Sequence, residues 1–131
     1  MTEPAFNKSG NTGMTHLINA IGFSMQGVRV AFRTESAFRQ EIGALIIVLP
    51  SGFWFAESLL VGLALFCSCM LVLAVELLNS GIEAAVDRIS IEHHDLSRNA
   101  KDFGSAAVMI TLVIAGSVWL YILFSAYLRP S

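Results

Sequence analysis

The sequence predicts an all-α integral-membrane protein with three transmembrane helices and an N-terminal amphipathic helix at the membrane surface. Of its 131 residues, 55% are hydrophobic and only 14% are charged, whereas about 25% are charged in a typical soluble domain. Three windows carry no charged residue, at 42–56, 58–75 and 103–128. Since a spanning helix needs roughly 20 mostly apolar residues, we expect three spans within a single domain over residues 1–131.

The first predicted element is the surface helix, over about residues 14–33. Apolar residues recur there every three to four positions, at Leu17, Ile18, Ile21, Met25, Val28 and Phe32. That period is typical of a helix with one apolar face. Because Arg29, Arg33 and other polar groups are too numerous for a span, we expect the helix to lie in the cytoplasmic interface beside anionic headgroups. A helix packed on its own domain is the alternative.

The spans are predicted over about residues 36–56, 58–87 and 101–128. Residues 50–52, Pro-Ser-Gly, indicate a break near the outer end of the first span, and Glu57 marks the turn that follows. A polar turn is expected over residues 91–100, before the third span. Aromatic residues near the outer ends of the spans suit the membrane–water interface.

The distribution of Lys and Arg predicts the orientation. Seven of the eight lie before the first uncharged window or between the second and third, and only Arg129 follows the third. By the positive-inside rule, the N-terminus should be cytoplasmic and the C-terminus periplasmic. The net charge of −2 gives no support for a nucleic-acid partner.

A stripe of polar residues continues the second span. Glu76, Asn79, Glu83 and Asp87 are separated by three, four and four residues, which places them on one face of a helix. The apolar segment 58–75 covers about 27 Å at about 1.5 Å per residue. Glu76 should therefore lie near the cytoplasmic edge of the membrane, where acidic groups usually have a function.

The remaining motifs narrow the chemistry. The sequence has neither a Gly-rich phosphate loop nor a nucleophile elbow. Adjacent His93 and His94 point apart, so we interpret them as solvated turn residues rather than metal ligands. Carboxylates and basic groups gathered at the cytoplasmic interface suit a phosphorylated ligand held through Mg²⁺. The alternative is that these charges only anchor and solvate helix ends.

The stripe also resembles a family signature. Residues 76–87 are similar, at every defined position, to that of the prokaryotic integral-membrane diacylglycerol kinases of proteobacterial type: Glu, two residues, Asn, Ser/Thr, small, aliphatic, Glu, two residues, Val, Asp. Residues 35–41 (ESAFRQE), 87–89 (DRI) and 100–107 (AKDFGSAA) resemble other segments of the same family. The resemblance runs from about Thr12 to Leu123.

The resemblance implies a homotrimer of three-span subunits, with active sites at subunit boundaries. Its members transfer the γ-phosphoryl group of ATP, with Mg²⁺, to 1,2-diacylglycerol and form phosphatidic acid at the cytoplasmic face of the bacterial inner membrane. Basic residues usual in the family are replaced here by His16 and Gln26, and His93–His94 stand where a Tyr-His pair is common.

The resemblance also implies roles for individual residues, where positions of this chain match the motifs of the family. Glu76 would be the catalytic base, supported by Asn79, and Glu35 and Glu83 would hold Mg²⁺. Asp87 would help to order its helix. The nucleotide would contact His16, Phe23, Glu35, Glu83, Glu92, His93, His94, Lys101 and Asp102. The lipid would contact Arg29, Gln40, Glu41, Glu76, Ser105 and Trp119.

Two other functions remain open from the sequence. A kinase of the same fold that acts on undecaprenol would share the signature. A small proton- or cation-coupled transporter could use Glu76 as its ion carrier, since buried acids suit that role. The carboxylates gather at one membrane face rather than at the midplane, which favours the kinase.

Overall fold

The computed structural model describes residues 13–89 and 92–129, and this part of the chain is all-helical. Its four helices are α1 (Met14–Thr34), α2 (Ser36–Phe55), α3 (Leu59–Ile89) and α4 (Asp95–Leu128). The predicted all-α class is confirmed. Residues 1–12, 90–91 and 130–131, which include Lys8, lie outside the described part.

The corner between α1 and α2 consists of Glu35 alone, in an extended conformation with φ −94° and ψ 116°. The end of α1 is closed by Arg39, whose Nη1 donates to the carbonyl oxygens of Phe32 at 3.3 Å and Arg33 at 3.2 Å. A cationic side chain there satisfies carbonyls that have no partner within the helix and complements the helix dipole. The extended backbone of Glu35 and the Arg39 bonds therefore fix the angle between α1 and α2.

The predicted break at Pro50 is wrong, because α2 continues through it to Phe55. Proline removes one backbone donor and normally kinks or ends a helix. Here the Ser51 hydroxyl donates to the carbonyl of Ile47 at 2.6 Å and lies 3.3 Å from that of Val48. The Ser51 hydroxyl thus adds bonds within the turn that Pro50 disturbs, and α2 continues past it for five residues.

Helix α3 runs antiparallel to both α2 and α4. Residues later in α3 lie beside residues earlier in α4: Leu65 lies beside Trp119, and Asn79 lies beside Gly104. Toward the end of α3, Asp87 pairs with Lys101. The polar stripe therefore lies at the end of the bundle where α2 and α4 begin.

The buried core of the bundle is small. It consists of Leu65, Cys69 and Ile122, with partly buried apolar neighbours on α2, α3 and α4. Helices α3 and α4 are long and apolar enough to cross a membrane. Only 33% and 11% of their most apolar windows are buried in the structure, unlike the core helices of a soluble protein. Their apolar surfaces face outward, as lipid or a partner subunit would require.

The predicted polar turn over residues 91–100 is also wrong in extent, since α4 begins at Asp95. His94 precedes it as the N-cap, and its Nδ1 accepts a hydrogen bond from the Leu96 N–H at 3.2 Å. The acidic Asp95 in the first turn complements the positive end of the helix dipole. An N-cap histidine was not recognised because Ser, Thr, Asp and Asn are the usual caps.

Far from the stripe, a polar cluster ties the turn after α2 to the end of α4. Glu57 accepts hydrogen bonds from the Tyr121 hydroxyl and the Ser125 hydroxyl, both at 2.6 Å. Arg129 donates from Nη2 to the Phe55 carbonyl. We call Glu57, Tyr121, Ser125 and Arg129 the Glu57 clamp. The bonds from Ser125 and Tyr121 lower the pKa of Glu57 from its ordinary value of 4.5.

The clamp should make stability depend on pH in acid. A depressed pKa means that the ionised Glu57 stabilises the fold above the unfolded-state value, and that this contribution is lost as pH falls through the folded-state value. We expect Glu57→Gln to lower the unfolding temperature near neutral pH. The difference from wild type should shrink only below about pH 4.5. Thermal unfolding in detergent, followed by circular dichroism across this range, measures it.

Ser117→Ala is the matched control, because the Ser117 hydroxyl donates within α4 to the Val113 carbonyl at 2.7 Å. Its effect on the unfolding temperature should not vary with pH. A Glu57→Gln difference that is equally constant across the acid range would contradict the assigned role of the carboxylate.

Candidate active site

Glu76 and Asn79 are two of the three buried polar side chains of α3, the third being Ser68. Glu76 is 5% exposed and Asn79 is 8% exposed. Their spacing places both on one helix face, which is covered by the neighbouring helices. Burying a carboxylate is unfavourable unless a hydrogen bond, a cation or a ligand compensates for lost water. This part of α3 is therefore better explained as a ligand-binding or catalytic site than as part of the hydrophobic core.

Asn79 links two parts of the site. Its Nδ2 donates to Glu83 Oε1 at 3.1 Å, which orients the Glu83 carboxylate. Its Oδ1 is buried and has no hydrogen-bond partner among the described residues. A Cβ on Gly104 of α4 would fall inside van der Waals contact with that oxygen. The absence of a side chain at Gly104 thus allows α4 to cover Asn79.

Glu35 reaches the same region from the corner between α1 and α2. Its Oε1 accepts a hydrogen bond from the Thr34 hydroxyl at 3.0 Å. The same hydroxyl lies 3.1 Å from the Val30 carbonyl. The carboxylates of Glu83 and Glu35 both lie within electrostatic range of Glu76. Three acidic groups from two separate segments therefore converge.

These groups line a polar cavity of about 360 Å³. Its walls come from the start of α2, the second half of α3 and the first half of α4. The lining residues are Glu35, Ser36, Ala37, Glu76, Asn79, Ser80, Glu83, Ser105 and Val108. Converging carboxylates with few basic neighbours suit a ligand that carries its own cation.

A second, apolar cavity of about 240 Å³ lies between α2, α3 and α4. Its lining residues are Glu41, Ala44, Leu45, Val48, Leu65, Cys69, Val72, Leu73, Leu112, Ala115, Gly116 and Trp119. Glu41 is the charged member, and its Oε2 is buried without a protein partner in the described part of the chain. Glu41 and Glu76 interact electrostatically, so the apolar cavity ends next to the polar one.

A third cavity of about 220 Å³ lies where α3 meets α4. It is lined by Val86, Asp87, Glu92, His93, His94, Ser97, Arg98 and Lys101. Lys101 Nζ lies 2.5 Å from Asp87 Oδ1, and this pair joins the two helices. Basic and imidazole groups around a small opening suit the phosphates or base of a nucleotide.

The structure gathers most of the predicted site residues into these three places. Glu35, Glu76, Asn79 and Glu83 share the polar cavity, and Ser105 joins them there rather than in the apolar cavity. Glu41 and Trp119 line the apolar cavity, and Glu92, His93, His94 and Lys101 the third one. Other predicted residues are exposed and do not line these cavities: His16, Phe23, Arg29, Gln40 and Asp102. Their roles stay predictions.

Three residues of the site were not recognised from the sequence. Thr34 orients Glu35, and its position directly before that residue at a helix end was an available signal. Ser80 lines the polar cavity beside Asn79. Gly104 carries no local signal, because its importance depends on how closely α4 approaches α3.

Comparison with known proteins gives a family match. A family model described as prokaryotic diacylglycerol kinase matches residues 22–123. A diacylglycerol kinase of Haemophilus influenzae is 49% identical over 113 residues, which cover 86% of this chain and 96% of the relative. That of Escherichia coli K12 is 44% identical over 119 residues, covering 91% and 98%. That of Pseudomonas aeruginosa is 45% identical over 114 residues, covering 87% and 93%.

The approach of α4 to Asn79 gives a test of the site geometry. We expect Gly104→Ala to destabilise the protein by about 1–3 kcal/mol, because the new methyl group must displace Asn79. Gly43→Ala is the matched control, since a Cβ there meets no atom within 4 Å. It should stabilise α2 by about 0.5–1 kcal/mol. Denaturant unfolding in detergent measures both free energies.

A double variant identifies the clashing partner. In an Asn79→Ala background the methyl group at position 104 has space, so Gly104→Ala should destabilise much less than in wild type. Equal effects in the two backgrounds would show that Asn79 does not pack against Gly104.

Proposed function

Because this chain belongs to the prokaryotic diacylglycerol kinase family, it is a lipid kinase, and we propose that it phosphorylates the free hydroxyl of 1,2-diacylglycerol with ATP. The product is phosphatidic acid. The names of the relatives support the reaction, and the arrangement of the polar and apolar cavities near Glu76 supports its assignment to that residue. No transport activity finds support in these relatives.

The observation that carries the proposal is the burial of Glu76 in the polar cavity, next to the Glu41 end of the apolar one. An apolar cavity lined from Glu41 to Trp119 suits the lipid body. A cavity lined by Glu35 and Glu83 suits phosphate oxygens that bring a cation. The lipid hydroxyl and the γ-phosphorus would therefore meet at Glu76.

In the proposed reaction, Glu76 accepts the proton of the lipid hydroxyl. The hydroxyl oxygen forms a bond to the γ-phosphorus while the bond from that phosphorus to the β–γ bridging oxygen breaks, and ADP leaves. A base in hydrogen-bond reach of the hydroxyl contributes typically about 10²–10⁴-fold. Positioning and charge neutralisation supply most of the remaining acceleration in phosphoryl transfer.

The residues present fit Mg²⁺ as the accompanying cation. Glu35 and Glu83 offer hard oxygen donors to one cavity, and Asn79 holds Glu83 in place. Among the described residues, no group of three His, Cys, Asp or Glu side chains could hold a metal ion. Mg²⁺ characteristically takes one or two carboxylates together with substrate phosphates and waters. When bound, it would neutralise charge on the phosphate oxygens.

We propose three membrane spans, formed by α2, α3 and α4, in the bacterial inner membrane. The described basic residues lie on α1, at the start of α2, at the end of α3 and at the start of α4, and Arg129 lies at the opposite end. This asymmetry supports a cytoplasmic N-terminus and site and a periplasmic C-terminus. Helix α1 would then rest on the cytoplasmic surface.

We also propose a homotrimer with sites completed across subunit boundaries. Two findings support it. The apolar surface of α4 is largely exposed in a single chain. The predicted nucleotide contacts His16 and Phe23 lie on exposed faces of α1, outside the polar cavity of the same chain. A neighbouring subunit would bring such groups to the site.

Substitutions of the two acidic residues test the roles directly. We expect Glu76→Gln to reduce kcat by about 10²-fold or more, since the amide cannot accept the proton. Glu83→Gln should raise the Mg²⁺ concentration needed for half-maximal activity. The assay follows ATP-dependent phosphorylation of a short-chain diacylglycerol in detergent. Asp95→Asn, an exposed change in the first turn of α4, is the matched control.

The scheme fails if wild type is inactive on both diacylglycerol and polyprenol. It also fails if Glu83→Gln retains full activity at limiting Mg²⁺.

The lipid acceptor has its own test, because an undecaprenol kinase would share the signature. We expect diacylglycerol to be phosphorylated in preference when both lipids compete for the wild-type enzyme, as the names of relatives at 44–49% identity indicate. Thin-layer separation of labelled products measures the ratio. A preference for undecaprenol would replace diacylglycerol in the proposal and leave Glu76 as the base.

A further inference from the structure

The Glu57 clamp is the one polar cluster of the described residues that has no place in the proposed reaction. It lies at the opposite end of the bundle from Glu76. Arg129 of α4 binds the Phe55 carbonyl, at the end of α2, and Glu57 receives the Tyr121 and Ser125 hydroxyls. The clamp therefore fixes the distance between the ends of α2 and α4.

Those same helices form the walls of the apolar cavity, with α3 between them. The α4 wall runs from Leu112 to Trp119. Trp119 is two residues before Tyr121, which is about 3 Å along the helix axis. The clamp thus begins at the end of the cavity wall, directly beyond its last lining residue.

Packing on α3 holds this end of α4 from one side, since Ile122 is buried in one cluster with Leu65 and Cys69. Toward α2, the hydrogen bonds among the described residues are those of the clamp. Trp119 packs close to Gly52, where an added Cβ would lie 3.3 Å from the indole. A displacement of the α4 end would move Trp119 and change the length and width of the cavity.

We propose that the Glu57 clamp sets the size of the apolar cavity and thereby the range of acyl chains that the enzyme accepts. The proposal rests on the proposed function, because it takes this cavity to hold the lipid body. Glu57, Tyr121, Ser125 and Arg129 touch no reacting atom. They act on specificity by positioning α4.

The test compares two diacylglycerols, dioctanoylglycerol and dioleoylglycerol, in the same detergent. We expect Glu57→Ala, Ser125→Ala and Tyr121→Phe each to raise the ratio of kcat/KM for the long chains over the short ones, by about three- to tenfold for Glu57→Ala. The ratio cancels any general loss of active protein. Tyr121→Phe removes one hydroxyl only and should fold even where Glu57→Ala does not. Ser117→Ala should keep the wild-type ratio.

A binding measurement avoids catalysis altogether. The chain has two tryptophans, so Trp54→Phe leaves Trp119 as the only one. In this background, with Glu76→Gln to prevent turnover, a long-chain brominated diacylglycerol should quench Trp119 fluorescence more strongly when Glu57 is replaced by Ala.

The outcomes separate the two proposals. Unchanged chain-length ratios and unchanged quenching, together with a lower unfolding temperature, would show that the clamp only stabilises the fold. A wild type that phosphorylates neither diacylglycerol would overturn the proposed function. The quenching would then still decide whether the clamp controls the cavity.

Discussion

The burial of Glu76 and Asn79 between α3 and α4 is the constraint on which the rest of the structure depends. Two polar side chains lose most of their contact with water there, and the fold must compensate. Asn79 does so in part by its bond to Glu83, while its carbonyl oxygen remains without a protein partner. The approach of α4 requires a glycine at position 104. An arrangement that is unfavourable by itself becomes reasonable if a ligand supplies the missing interactions.

The character of α3 changes along its length, and the cavities follow that change. Its first part, including Leu65, Cys69 and Val72, forms the base of the apolar cavity. Its second part, from Glu76 to Glu83, forms the base of the polar cavity. A single helix thus passes from a lipid-like to a water-like environment. A reaction between a membrane lipid and a water-soluble nucleotide needs this property, because neither substrate has to leave its own solvent.

The sequence was sufficient where periodicity decides the structure. The spacing of Glu76, Asn79 and Glu83 placed them on one face, and α3 covers the expected segment. Local rules failed at two helix ends: α2 continues through Pro50 to Phe55, and α4 begins early, with His94 as its N-cap. The role of Gly104, and the meeting of Glu35 with Glu83, depend on how separate helices approach one another. No local pattern reports such an approach, and only the family resemblance anticipated the second of these.

A bundle that keeps a cavity must resist collapse, since close packing of its helices would be favourable. In this chain polar links hold both ends of the bundle, with Lys101 and Asp87 at one end and the Glu57 clamp at the other. Between them the cavity wall includes Gly116, where an added Cβ would meet no atom within 4 Å. Because these links lie at the ends, the position of α4 along the cavity is set in part by groups far from the reacting atoms.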